Sequence, residues 1–425
     1  MARSQSFFSQ APELFPLALA TAAAFGALAL MLPVIPLAVI AEGGSKTLAG
    51  ATTTVFMVAT VLTQLITTKL ILRFGYRSVM IASSALLGLP TLGYLITMTP
   101  APLLGIAAIR GCGFGALCVA QFALIAQLSP PGQLGRASGI IGFFTGASQM
   151  IAVPIGLWLV DITGSYTLVF ILGTAISLLA AGLAYFLPSP PLEQEQWEDD
   201  NAASSYEPAP LPPSDEGIFA NVTSRIYRRP RTRGLAVTIV PAIAISSVSM
   251  GFGAVQSFLP AALRDVDPVQ GASIAGILLA IGGGAQMIFR YFSGALADRR
   301  NRPGGMMLPG LCAAMVGFAG IVVVLSYQLN LWWLVVPAFL FGAGFGAVAN
   351  EALLEMFMRV SRGKIGHAST IWNASFDAGT GVGAIALGIV AAASGYNMAF
   401  SVAAGLVLIG LVAEISDRVR NPDHR

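Results

Sequence analysis

Residues Gly111–Ala116 read GCGFGA, and Gly342–Ala347 read GAGFGA. The two blocks lie 231 residues apart, and the correspondence continues at that spacing. Gly135, Ala137, Ser138 and Ile140 recur as Gly366, Ala368, Ser369 and Ile371, and Gly164 recurs as Gly395. In each copy a glycine-rich apolar segment runs into a short polar turn and then into a second such segment. Solenoid repeats have periods of about 20–50 residues. A repeat of half the chain length is a duplicated half-protein.

Composition sets the solvent. The chain is 56% hydrophobic and 10% charged, against about 25% charged in a soluble domain. Leu14–Ile40 carries no charge, and about 20 apolar residues at ~1.5 Å rise cross a hydrocarbon core. The chain is therefore expected to be an all-α membrane protein. Twelve transmembrane helices are expected, at 14–40, 48–72, 78–99, 103–127, 138–160, 167–187, 235–259, 272–296, 306–327, 332–357, 367–393 and 397–416. They form two six-helix bundles related by the repeat, residues 1–187 and 234–425. The first span is too long for a signal-peptide core and is expected to be retained. Parallel halves in a chain this apolar point to a secondary transporter.

Between the halves lies a segment of different character. Residues 188–217 hold seven prolines and eight acidic residues with no Lys or Arg. That composition cannot offset ordering entropy by burial, so a disordered linker is expected over 188–233. Its end turns basic at Arg225, Arg228, Arg229, Arg231 and Arg233. That piece is either an interfacial helix on anionic lipid or an orientation-setting basic run. Of the 23 Lys and Arg residues, 19 fall in segments on one side of the expected topology. The positive-inside rule then places the linker and both termini in the cytoplasm, as for a multi-pass protein of the inner membrane.

Six spans, a long loop and six spans resemble the major facilitator superfamily. Gly294–Arg302 reads GALADRRNR, similar to that superfamily's G-x-L-x-D-R-x-G-R loop with Asn301 in place of the second glycine. The matching turn, Thr68–Arg77, reads TKLILRFGYR and has Leu72 where the aspartate falls. The resemblance implies alternating access by two rocking bundles around a central site. It also implies a gate formed by Asp298, Arg290, Arg299 and Arg73. Asp377-Ala-Gly in span 11 resembles a pattern of drug:proton antiporter-like exporters. Arg110, just before GCGFGA, resembles an antiporter arginine but sits one residue closer to its glycines.

Ionisable residues inside a span are expensive and mark function by default. Asp377, Arg110 and Glu351 are the expected proton-coupling groups, with Arg110 acting on Asp377. Glu355, four residues before Arg359, is expected to pair with it. Gln121, Gln149, Phe144, Asn350, Asn373 and Phe376 are the expected substrate contacts, with Gln64, Gln256, Gln286 and Trp372 as further candidates. A largely apolar pocket with few polar groups suits an amphipathic small molecule.

The expected function is proton-coupled efflux of such a molecule. Proton-coupled uptake of a sugar or organic acid, or a non-transporting membrane sensor, are the alternatives. The expected partners are the small-molecule substrate, protons and membrane lipid, with the chain acting as a monomer. No phosphate-binding loop, nucleophile elbow or paired-histidine zinc pattern occurs. The three cysteines all lie in apolar segments as packing residues. Neither an enzyme, a metal, a cofactor nor nucleic-acid binding is expected.

Overall fold

The computed structural model describes residues 13–128, 134–188, 235–300, 304–360 and 365–420. The expected linker lies outside them except for Pro188. Eleven α-helices are described: α1 Leu14–Met31, α2 Val34–Ala41, α3 Lys46–Gly88, α4 Pro100–Leu128, α5 Leu134–Thr163, α6 Thr167–Ala184, α7 Ile239–Val266, α8 Gly271–Arg300, α9 Met307–Ser326, α10 Val335–Arg359 and α11 Ile365–Arg420. They give ten stretches long and apolar enough to cross a membrane. Two of these, Lys46–Leu95 and Thr370–Arg420, are 50 and 51 residues long. Each is interrupted at a glycine with non-helical backbone, Gly75 (φ 79°, ψ 160°) and Gly395 (φ 83°, ψ 171°). A β-carbon is strained in that region of φ/ψ space, so glycine is the residue that turns the chain there. Gly164, the repeat partner of Gly395, also has positive φ (62°).

Two irregularities have local causes. Proline lacks an N–H and collides with the preceding turn. Pro33 accordingly separates α1 from α2, and Pro90 opens a 3₁₀ segment, Leu89–Leu95, that ends the third expected span.

The repeated block explains itself in packing. A methyl group at Gly111 or Gly115 would collide with the carbonyl oxygens of Phe56 and Thr60 in α3. One at Gly113 would lie 2.7 Å from Ser83 O and 2.8 Å from Leu87 N, past the Gly75 break. In the second copy, Gly342 and Gly346 abut Gly282 O and Gln286 O of α8, and Gly344 abuts Gly310 O of α9. In both copies the outer glycines seat one neighbouring helix and the middle glycine seats another. Small residues that let backbones approach are the main adhesive between helices in lipid.

We expect Gly344→Ala and Gly113→Ala to lower the melting temperature and folded yield of the purified protein. Overpacking of this kind costs about 1–3 kcal/mol. Gly105 has open space around its α-carbon, so Gly105→Ala should be neutral or slightly stabilising. Thermal unfolding of the three variants in detergent checks this.

Candidate functional site

The two halves touch along two antiparallel helix pairs. Here the linker face means the side where α1 begins and α6 ends, and the far face means the opposite side. Beginning at the far face, Lys46 and Thr47 of α3 meet Gly388 of α11, Gly50 meets Ala384, and Thr54 and Met57 meet Gly381. Thr54 Oγ1 donates to Gly381 O at 2.6 Å. The last described contact is Gln64 Nε2 donating to Asp377 Oδ2 at 3.1 Å. In the second pair, Asp161 of α5 meets Ser273 of α8, Leu157 meets Gly276, Met150 meets Gly284 and Gly146 meets Met287. Nearer the linker face, Phe143 and Tyr291, on the seam sides of α5 and α8, are 59% and 78% exposed. The cleft between the halves is thus closed at the far face and opens toward the linker face.

Three polar contacts clasp the far face. Asp161 Oδ2 accepts from Ser273 N at 2.6 Å, in the first turn of α8, where a helix presents free N–H groups and favours negative charge. Arg264 Nη1 donates to Tyr166 Oη at 2.7 Å. Burial pushes the Tyr166 hydroxyl above the usual tyrosine range, opposed by the neighbouring Arg264. Lys46 Nζ sits 3.9 Å from the Tyr396 ring centroid. Thr53 Oγ1 and Ser257 Oγ meet at 3.1 Å below this clasp.

Asp377 is buried, and about 18 Å of helix separates it from the start of α11 at 1.5 Å per residue. Cys118 of α4 is near enough to feel its charge. The expected partner Arg110 is elsewhere: its Nε donates to Leu87 O at 3.0 Å, and its guanidinium lies near the Phe56 and Tyr94 rings. Arg110 and Asp377 form no ion pair in this state. Eight residues, about 12 Å of helix, separate Arg110 from Cys118.

Glu351 and Glu355 belong to a different place, a charged cluster at the linker face of the second half. Gly304 N donates to Glu351 Oε2 across the turn between α8 and α9. Glu355 pairs with Arg359 at 3.0 Å, as its spacing implies, and Arg359 also pairs with Asp417 at 2.7 Å. Arg418 pairs with Glu414 at 2.7 Å and donates to Gly304 O. Glu414 and Asp417 were not among the sequence candidates, although the Glu414–Arg418 spacing repeats that of Glu355–Arg359.

The expected substrate contacts are divided between the two halves. On the second half, Trp372, Phe376, Phe345 and Phe252 stack in series, with centroids 4.9–5.7 Å apart. Trp372 Nε1 is tied to Ala349 O at 2.9 Å, and Asn350 Nδ2 donates to Ser293 Oγ at 2.9 Å. Asn373 is partly buried beside Trp372 in sequence. On the first half, Gln149 Nε2 reaches Thr145 O at 3.4 Å, and Phe144 meets the Phe143 ring edge-on at 6.2 Å. Gln121 and Gln256 each bury an Oε1 without a partner.

Of the expected gate, Arg290 is exposed and lies 5.5 Å from the Trp372 ring centroid. Arg73 is exposed beside Phe74. Asp298 and Arg299 lie in the last turns of α8, and their side chains are outside the described set.

The model of the Major Facilitator Superfamily matches residues 17–369. The chain belongs to that superfamily. Among solved structures, it is similar to a bacterial homologue of the human lysosomal transporter Spinster in an inward-facing and occupied conformation. That match has a TM-score of 0.73 and 13% identity over 99% of each chain. It is also similar to the nucleoside transporter NupG, with a TM-score of 0.70 and 13% identity over 95% of this chain and 98% of that one. A third similar structure is the peptide transporter POT with sulfate, with a TM-score of 0.68 and 15% identity over 98% and 96%. No curated protein matches the chain by sequence. At such identities the shared property is the fold: a multi-pass membrane transporter.

Removing the Asp161 carboxylate should loosen the far face. A helix-capping contact is worth about 0.5–2 kcal/mol, enough to shift a two-state population by roughly twofold to thirtyfold. In an Asp161→Ala background we expect a cysteine at Ser257 to react faster with an impermeant maleimide added at the far face. Unchanged labelling would place the closure elsewhere.

Proposed function

We propose that the chain exports a small amphipathic molecule across the cytoplasmic membrane in exchange for protons, by alternating access. The observation that carries this reading is the Gln64–Asp377 hydrogen bond. It is a buried carboxyl held across the interface between the halves, at the inner end of their shared contact. Charge at a helix centre costs about 2.5–3.5 kcal/mol on insertion scales. Whether Asp377 keeps its proton therefore depends on what faces it, and rocking of the halves changes what faces it. That ties proton transfer to the side on which the cleft opens.

In this reading the two long helices each cross twice, at the Gly75 and Gly395 breaks, to give twelve crossings in two bundles of six. The linker, both termini and the open side of the cleft face the cytoplasm, as the placement of the basic residues requires. The substrate rests between the aromatic series of Trp372 and Phe376 and the polar groups Gln121, Gln149, Asn350 and Asn373. Unpartnered acceptors at Gln121 and Gln256 favour a substrate with hydrogen-bond donors. Asp298, Arg299, Arg290 and Arg73 are the groups that close the cytoplasmic side when the far face opens. Glu351, bound to the Gly304 amide, is the second proton candidate, acting on the α8–α9 turn.

Asp377→Asn keeps the shape and removes the titrating proton. In proteoliposomes with an imposed pH gradient, we expect this variant to bind and exchange substrate but to lose gradient-driven accumulation. Gln64→Leu should shift the pH midpoint of transport by on the order of one unit, because a hydrogen bond to a charged group is worth about 1.5–3 kcal/mol. Gradient-driven accumulation with wild-type pH dependence in Asp377→Asn contradicts the reading. If Glu351→Gln alone gives the uncoupled behaviour, the proton site belongs to the linker-face cluster.

A further inference from the structure

Arg110 occupies a site that the coupling scheme does not use. It is 3% exposed and lines a pocket with Leu28, Leu32, Thr52, Phe56 and Tyr94, between α1, α3 and α4. A guanidinium carries five N–H donors and cannot give up its charge. Here Nε serves Leu87 O, and Nη2 has only the thioether sulfur of Met31 at 3.8 Å. Tyr94 Oη lies beside the remaining N–H groups without good hydrogen-bond geometry, and no other acceptor is found for them among the described residues. None of the described ion pairs includes Arg110, and Asp377 is engaged with Gln64.

The opposite wall of the pocket repeats the pattern. Tyr94 is 4% exposed, and its hydroxyl has no hydrogen-bond partner of good geometry, although it lies beside the guanidinium. A cation out of water without a counter-charge is unfavourable, as is a buried hydroxyl without a partner. One occupant relieves both. A carboxylate accepts the planar fork of an arginine through two oxygens and also accepts from a phenol. The apolar side chains of Leu28, Leu32 and Phe56 leave space for little beyond a head group, with room for about one water molecule.

We propose that the Arg110–Tyr94 pocket binds a small monovalent anion, and that a carboxylate fits it best. It is a second polar subsite, set toward the far face from Asp377 and independent of the proton. A free anion and the head group of a transported solute present the same chemistry to it. A chloride ion has the charge without the two-oxygen shape.

The test is thermal unfolding of the purified full-length chain in detergent at constant ionic strength. Sodium formate, acetate or chloride replaces bulky gluconate. A ligand that binds only the folded state raises the melting temperature by mass action. Formate should stabilise the wild type saturably, and the larger acetate less or not at all. Arg110→Gln should abolish the effect, and Tyr94→Phe should raise the half-saturating concentration about tenfold, as expected for one lost hydrogen bond to a charged group. If Arg110→Gln does not fold, Tyr94→Phe decides alone. Stabilisation by chloride but not formate, with the same dependence on Tyr94, keeps the anion site and overturns the carboxylate preference. No saturable effect of any of the three anions, or equal effects in wild type and Tyr94→Phe, overturns the proposal. Competition between formate and substrate in proteoliposomes assigns the pocket to the solute's head group; binding without competition assigns it to a free anion. Either result leaves the reading of Asp377 untouched.

Discussion

Close backbone contact between helices is the constraint on which the rest of the structure depends. In lipid, helices gain little from burying apolar side chains against one another, so association rests on packing and on interhelical hydrogen bonds. The chain meets this by duplicating one glycine block. Gly111, Gly113 and Gly115 fix α4 against both limbs of α3, and Gly342, Gly344 and Gly346 fix α10 against α8 and α9. Interhelical hydrogen bonds such as Thr60 Oγ1 to Gly111 O at 3.1 Å reinforce the same approach.

In the proposed cycle each half moves as a body, and the contacts between halves are of a kind that permits it. They run along two antiparallel helix pairs, are made by small residues, and are clasped by a few polar groups at one end. Gly50, Gly276, Gly381 and Gly388 bring backbone close to backbone there, and Met57 and Leu157 pack against two of them. The Asp161 contact with the first turn of α8 and the Arg264–Tyr166 bond are single, part-buried contacts near the helix ends. Such contacts are individually weak, so separation of the far face demands little. In the proposed cycle, the buried Gln64–Asp377 bond at the other end of the same seam is the one that senses the motion.

Much of the fold was legible because it is set by local rules. Apolar run length gave membrane-crossing helices, although the described residues form ten such stretches where twelve spans were expected, two of them 50 and 51 residues long. Gly164 and Gly395, matched by spacing alone, both adopt positive φ. The Glu355–Arg359 pair followed from a four-residue helical spacing. What local rules do not carry is the meeting of distant residues. Gln64 and Asp377 are 313 residues apart, and no periodicity links them. For the same reason Arg110 was matched with Asp377 on cost and on its resemblance to an antiporter arginine, whereas packing turned it toward Tyr94, Phe56 and Leu87. Asp161 was not among the sequence candidates; its partner is a backbone amide of the other half, to which no local pattern links it.

The most direct test of the account is whether the two faces open in alternation. Spin labels at Glu42 and Val269 report on the far face, and labels at Phe186 and Val419 report on the linker face, all exposed positions on opposite halves. Pulsed dipolar measurements in lipid nanodiscs across a range of pH should show two populations at each pair. The far-face distance should lengthen as the linker-face distance shortens, and Asp377→Asn should freeze the ratio against pH. A single distance at each face under every condition, or both distances changing in the same sense, would contradict rocking of two rigid halves about a shared seam.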